Sequence, residues 1–282
     1  MTAGPGRGGD DAGWHTRTAK QRQRQREIAE LVVAEGTVRI EDLIERFGVS
    51  AMTVHRDLDQ LESQGLLRKT RGQVTALSSS LTESGMTFRQ TQHNAEKDAL
   101  ALAALEFIEP GHSVFLDDST TGLHLARLLP QRAPLGVITH SAAVAAELAR
   151  EPQISLTVVG GLYHSWCDAY LGQMAVDAIR RIRADTFVMS TAAITDDICF
   201  FQTQDTIAVK RAMFDSSAQR ILYTDHTKFG QRALHALVPL TEFDVVIVDE
   251  LTPVEHVDRL RRKGIEVVVA PVPAEPGPSG PS

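Results

Sequence analysis

From residue 94 to about residue 270 the chain alternates between short apolar runs and amphipathic stretches, and this rhythm constrains the fold more than any other feature. "SVFLDD", "LGVIT", "ISLTVVGG", "DTFVMST", "RILYTD", "FDVVIVD" and "IEVVVA" read as strands. Between them "TTGLHLARLL", "SAAVAAELAR", "TIAVKRAMFDS" and "PVEHVDRLRR" carry the three-and-four spacing of helices. Strands so uniformly apolar must be covered on both faces, which a parallel sheet between two helix layers achieves. The expectation is an α/β domain over residues 94–271, with ligand-binding positions at the strand ends.

Residues 15–76 follow a different pattern. A helix is predicted from about 20 to 35, with Ile28, Leu31 and Val32 on one face and Gly36 closing it. "VRIEDLIERFG" predicts a second, burying Leu43, Ile44 and Phe47 and ending at Gly48. Ser50 caps a third, in which Val54, Leu58 and Leu61 form an apolar stripe ended by Gly65. "LLRKTRGQVT" then suits a short β-ribbon turning near Gly72. Three short helices and a ribbon describe a winged helix-turn-helix, whose third helix enters the major groove of DNA. Ala51, Thr53, His55 and Arg56 would face base edges, and Arg68, Lys69 and Arg71 would lie along phosphates. Periodicity alone leaves a second reading open, a helical docking or structural module.

The formal net charge of −7 argues against a general nucleic-acid binder, but the charge is unevenly placed. Residues 1–80 hold 12 Lys/Arg against 11 Asp/Glu, and residues 81–282 hold 17 against 25. The densest basic run is "RTAKQRQRQRE", open equally to a solvated helix face. Residues 1–14 and 272–282 are rich in Gly, Pro and Ser and are expected to be disordered tails; residues 77–93, beginning "LSSSLTESG", are expected to be a linker. Gly4, Gly6 and Gly9 spell GxGxxG without the strand and helix that would make it a nucleotide motif. Cys167 and Cys199 form no CxxC, and His164, Cys167 and Asp168 in "YHSWCDAY" are a weak metal signal, read as a loop over the pocket. No metal or cofactor is expected. The absence of a long apolar run and of a signal-peptide core points to a cytoplasmic location without membrane contact.

"REIAELVVAEGTVRIEDLIERFGVSAMTVHRDLDQLESQGLLRKTRG" resembles the N-terminal signature of the DeoR-type (deoxyribose-operon repressor) family of bacterial transcription regulators. The match falls on Arg26, Ile28, Val49, Ser50, Thr53, Arg56, Asp57, Leu58, Leu61, Glu62, Gly65, Arg68, Arg71 and Gly72. His55 stands where that family usually carries a second basic residue, and Gln73 where it usually has a second glycine. The resemblance implies operator DNA as a partner, Arg26 among the DNA-facing residues, and a homo-oligomer, dimer or tetramer.

In the second domain, the strand ends are polar. Asp117, Asp118, Ser119, Thr120 and Thr121 lie between the first strand and a helix, and Thr139, His140 and Ser141 follow the second strand. Backbone N–H groups and hydroxyls at such helix starts can cradle a phosphate. Gly160 and Gly161 would allow close backbone approach; Lys210 and Lys228 supply positive charge, and Asp225 suits sugar hydroxyls. Plainer roles stay open: Ser119 and Ser141 as helix caps, Lys210 as an exposed helix lysine, Asp225 and His226 as turn residues. The DeoR resemblance extends over about residues 88–270, through "LDDSTT", "THS", "VGG", "VKRAM" and "TKFG". It implies a sensor domain of the ribose-5-phosphate isomerase fold and a phosphorylated-sugar effector. By that resemblance Ser119, Thr120 and Thr121 hold phosphate, while Asp117, Lys210 and Lys228 surround the sugar. His140 replaces an Asn, and "AAIT" at 192–195 replaces a Gly-Ile-Asp stretch. The runs Asp-Gly-Ala-Asp-Glu and Lys-Gly-Gly-Gly-Gly of the isomerase itself are absent, as is a GxSxG elbow. The expected function is a DNA-binding repressor of carbohydrate genes and not an enzyme; the alternative is an isomerase-like enzyme with a helical interaction module, its base drawn from Asp117, Asp118, Asp196 or Asp197.

Overall fold

The computed structural model describes residues 20–273, apart from 22, 26, 30, 33–34, 64–65, 77–82 and 84. The expected tail 1–14, residues 274–282 of the other expected tail and residues 77–82 and 84 of the expected linker, together with Arg26 and Gly65, lie outside the described residues. The chain divides into two compact units, residues 1–79 and 80–282.

In the first unit the described positions between residues 20 and 35 are helical (α1). They are followed by β1 (Thr37–Arg39), α2 (Ile40–Phe47), α3 (Ala51–Ser63), β2 (Leu67–Thr70) and β3 (Gln73–Ala76). Gly48 closes α2 in the left-handed conformation (φ 61°), and Gly72 turns the β2–β3 hairpin at φ 77°. The segment "TVR" is a correction to the predicted second helix. It pairs antiparallel with β3, Val38 opposite Val74, making a three-stranded wing in the order β1-β3-β2. Helix α2 therefore starts at Ile40 and buries Ile40 and Leu43, while Ile44 and Phe47 are half-buried. Val54, Leu58 and Leu61 of α3 are 0–1% exposed, each worth about 1.5–3 kcal/mol of burial.

The second unit opens with α4 (Met86–Arg89) and α5 (Asn94–Leu105), then β4 (Ser113–Leu116), α6 (Thr120–Leu128), β5 (Leu135–Thr139), α7 (Ala142–Leu148) and β6 (Ile154–Val158). A hairpin of β7 (Leu162–His164) and β8 (Ala169–Leu171) precedes α8 (Gln173–Ile179) and β9 (Ala184–Met189). Next come β10 (Ala193–Thr195), β11 (Ile198–Phe201), α9 (Gln204–Asp215), β12 (Ser217–Thr224), β13 (His235–Pro239), β14 (Val245–Asp249), α10 (Val254–Arg262) and β15 (Glu266–Ala270). Seven of these strands form one parallel sheet in the order β15-β14-β12-β9-β4-β5-β6. Alternate side chains along a strand point to opposite faces, and the two hydrophobic cores divide accordingly. Val114, Leu116, Val137, Val188 and Ile247 pack with α5, α6 and α7. Phe115, Ile138, Phe187, Met189 and Val248 pack with α8, α9 and α10.

The chain builds outward from β4 to β6, then returns to β9 on the other side of β4 and builds the opposite way. The order thus reverses between β4 and β9, and a crevice opens beyond the carboxyl ends of strands at such a reversal. "YHSWCDAY", expected as a loop, is instead the β7–β8 hairpin. It is held against the end of β5: Tyr170 N–H donates to His140 O (2.9 Å) and Ala142 N–H to Asp168 O (2.8 Å). β10, β11 and β13 form a separate antiparallel sheet that the strand pattern does not predict.

Candidate functional site

In the first unit the site is the open face of α3. Ser50 caps the helix, its Oγ accepting from the Thr53 N–H at 3.2 Å and lying 2.8 Å from the Thr53 hydroxyl. With the apolar stripe turned inward, Ala51, Met52, His55 and Arg56 are exposed and Thr53 is half-buried. The helix is tied to α1 through Asp57, a buried carboxylate. Arg24 Nε donates to its Oδ2 at 2.6 Å and Gln25 Nε2 to its Oδ1 at 2.9 Å. Arg24, part of the basic run, therefore fixes the recognition helix and is not free for phosphate. On the wing, Arg68 and Arg71 are exposed. Lys69 is paired instead: its ammonium bonds Asp59 and its N–H donates to Glu62 Oε1 at 2.8 Å.

In the second unit the residues after β4 and β5 turn inward at the sheet reversal. Asp117 is saturated with donors. Its Oδ1 accepts from Ser119 N–H (3.2 Å) and Ser119 Oγ–H (2.6 Å), and its Oδ2 from Ser190 N–H (3.0 Å) and Lys210 Nζ (2.6 Å). The ammonium also approaches Asp118 Oδ1 to 2.8 Å, without the alignment of a hydrogen bond. Lys210 is 2% exposed; it is neither an exposed helix lysine nor a free point charge. Burial works against its charge, but Asp117 and Asp118 outweigh burial and hold its pKa above the ordinary lysine value. Burial likewise opposes the Asp118 carboxylate, yet Lys210 and His140 hold that carboxyl well below its ordinary range.

His140 is fully buried, with Nε2 3.5 Å from Asp118 Oδ1, and neither ring nitrogen has a directed hydrogen bond within the protein. Ser119 and Ser141 act as helix caps, accepting from Gly122 N–H (2.8 Å) and Val144 N–H (3.3 Å). Thr120 and Thr121 are buried in the first turn of α6, and Thr139 Oγ1 accepts from Ser141 N–H at 3.1 Å. Gly122 permits the tight turn beneath them: a Cβ there would stand 3.0 Å from Asp117 O.

A second group gathers beyond β12. Asp225 caps the following 3-10 turn, accepting from Thr227 N–H at 3.0 Å, and Lys228 Nζ stands 3.9 Å from its Oδ2. His226 is held by the buried Asp249, through its N–H (2.9 Å) and its ring Nδ1 (3.0 Å). Facing them are His93, whose ring lies 5.9 Å from that of His226, and Lys97 of α5. Lys97 is 4% exposed, its ammonium donating to the carbonyls of Arg89 and Gln92. Burial, with Lys228 adding to it, lowers its pKa to about 7. Sequence patterning passes over Lys97, yet carries a signal: Leu100, Ala101 and Ala104 lie three, four and seven residues on, so this lysine occupies the apolar stripe of its helix.

The structure thus brings together Asp117, Ser119, His140 and Lys210, joined by Asp118, and separately gathers Asp225 and Lys228. Gly160 and Gly161 follow β6, the edge strand beside β5. A Cβ on Gly161 would stand 2.5 Å from Leu171 O, so its smallness serves the β7–β8 hairpin; Gly160 faces open space. The metal-capable trio also disperses: Asp168 accepts from the Tyr163 hydroxyl at 2.7 Å, and Cys167 is sealed in the core. Asp197, a candidate isomerase base by residue type, accepts from Arg259 (2.8 and 3.0 Å) and Lys263 (2.8 Å). Burial opposes its charge, but these cations win and keep it a weak base.

Two family models match the chain: the DeoR C terminal sensor domain over residues 92–250, and the DeoR-like helix-turn-helix domain over residues 24–80. The chain belongs to the DeoR family. Among DeoR-family relatives it is 31% identical to the transcriptional repressor AccR of Agrobacterium fabrum, over 85% of this chain and 95% of that protein. It is 30% identical to the glycerol-3-phosphate regulon repressor of Escherichia coli, over 83% and 93%. A solved structure of ribose 5-phosphate isomerase A from Methanocaldococcus jannaschii is similar over 47% of this chain and 52% of that one, at 12% identity and a TM-score of 0.35. The winged helix unit and the α/β unit are thus the DNA-binding and sensor domains of a DeoR transcription regulator. No helix among the described residues is long and apolar enough to cross a membrane.

Proposed function

We propose that the protein is a cytoplasmic repressor of carbohydrate-metabolism genes, released from its operator by a phosphorylated sugar. It acts as a homo-oligomer, so that two copies of α3 meet two half-sites. The observation that carries the reading is the composition of the sheet's carboxyl edge. Buried polar atoms without a directed hydrogen bond stand there: both His140 nitrogens, Thr224 Oγ1, and Asp118 Oδ1, which is ion-paired to Lys210 at 2.8 Å. Buried polar groups require hydrogen-bond partners. Beyond β12, Lys97, Lys228, His93 and His226 offer donors to an anion. Beyond β4, Asp118 offers acceptors to hydroxyls. This polarity favours a ligand with a phosphate at one end and hydroxyls at the other. Ser119, Thr120 and Thr121 present the start of α6 between the two, with Asp117 and Lys210 fixed beneath as a neutralised pair. Effector binding shifts the population between an arrangement of subunits that fits two half-sites and one that does not.

The test is a titration of the full chain on DNA from its own upstream region, at two salt concentrations, with and without a panel of sugar phosphates. The expected result is tight binding that weakens with salt and is released by one panel member. Turnover of a sugar phosphate without sequence-specific DNA binding would overturn the reading in favour of an isomerase-like enzyme.

A further inference from the structure

Met52 is the second residue of α3, and its side chain is 73% exposed. The other large apolar side chains of that helix, Val54, Leu58 and Leu61, are 0–1% exposed. Met52 contributes nothing to that core. It occupies the first turn of the helix, the part that in a helix-turn-helix meets base edges. His55 and Arg56 lie three and four residues on and share its face, and both are exposed. On the wing, Arg68 and Arg71 are exposed and suited to phosphates. An apolar side chain on the face of α3 that carries His55 and Arg56 has, in the major groove, one apolar target among the bases, the C5-methyl group of thymine. The thioether chain is unbranched and polarizable and fits itself to such a small surface.

We propose that Met52 is a specificity-determining residue that reads a thymine methyl group at one position in each operator half-site. The inference rests on α3 entering the major groove, and the experiment separates the two. Full-length wild-type protein first selects its preferred duplex from a random pool, and each thymine of the selected site is then replaced in turn by deoxyuridine, which lacks only the methyl group. Wild type is expected to lose about fourfold in affinity per half-site at one thymine, the worth of one buried methyl(ene) group. Met52→Ala should bind thymine and deoxyuridine equally at that position and keep its response at all others. Met52→Leu should restore the discrimination. Because the side chain is exposed, both variants fold. If no thymine shows a methyl effect that depends on residue 52, the assignment is overturned while DNA binding stands. If the pool yields no preferred sequence, the DNA-reading role fails and the assignment falls with it.

Discussion

Replacing Lys210 by methionine isolates the charge arrangement at the sheet reversal. The substitution keeps the volume but removes the one ammonium that serves both Asp117 and Asp118, at 2.6 and 2.8 Å. Asp117 retains three donors, from Ser119 and Ser190. Asp118, 5% exposed, loses its principal counter-charge. Removing one partner of a buried pair costs about 3–5 kcal/mol, or a fall in melting temperature of roughly 10 °C for a domain of this size. The pH dependence has a definite sign. In the wild type the Asp118 pKa is lowered, so its stabilisation is present above the unfolded carboxyl value and lost only as pH falls through the lowered one. In the variant burial acts without Lys210 and raises that pKa, so the carboxyl is destabilising at neutral pH and protonates as pH falls. The gap between the two proteins should therefore be widest near pH 7–8 and narrow toward pH 4. Urea unfolding followed by the fluorescence of Trp166, which packs on the α8–α10 core, measures it. A loss below about 1 kcal/mol, or a gap constant across pH 5–8, would refute the account of Lys210 as the neutralising centre.

Other consequences are open to simpler measurements. Asp57→Ala should destabilise the DNA-binding domain by about 2–3 kcal/mol, since Arg24 and Gln25 lose their buried acceptor; an unchanged denaturation midpoint would sink the locking role. Lys97 has a folded pKa of about 7, below its unfolded value, so the unfolded chain binds the extra proton between about pH 7 and 10. Sensor-domain stability should then rise with pH across that window, by up to ~1.4 kcal/mol per unit, and Lys97→Met should flatten the slope. Binding of a phosphorylated effector should weaken as pH rises through about 7, where Lys97 in the folded protein loses its charge. Burial pushes the thiols of Cys167 and Cys199 up to about 12. Neither should react with a thiol reagent in the folded protein at pH 8, and both should react in denaturant.

The seven-stranded sheet is legible in the sequence because its strands are apolar on both faces, a demand that only a doubly covered parallel sheet meets. The wing is less so. Val38 alone of β1 turns inward, and "TVR" becomes a strand through its backbone pairing with β3, which no local pattern encodes. The short strands β10, β11 and β13 are hidden for the same reason. At the sensor site, residue type pointed to Ser119, Ser141 and Asp225, and their capping geometry is the plainer role that was open to them. Asp118 was visible by type, at the strand end and among the candidate bases, but its pairing with Lys210 and His140 waits on the fold. Lys97 was missed. A lysine near a helix start reads as solvated until the end of α4 and the turn after it place the Arg89 and Gln92 carbonyls over it.

The bond between Asp117 and Lys210 spans 93 residues of chain, and that separation orders events during synthesis. Everything the winged helix needs ends at Ala76, whereas the switch-point cluster awaits α9. At roughly 5–20 residues per second, on the order of ten seconds of translation separate the two. The DNA-binding domain can therefore complete its own contacts while the strand-end cluster of the sensor domain does not yet exist.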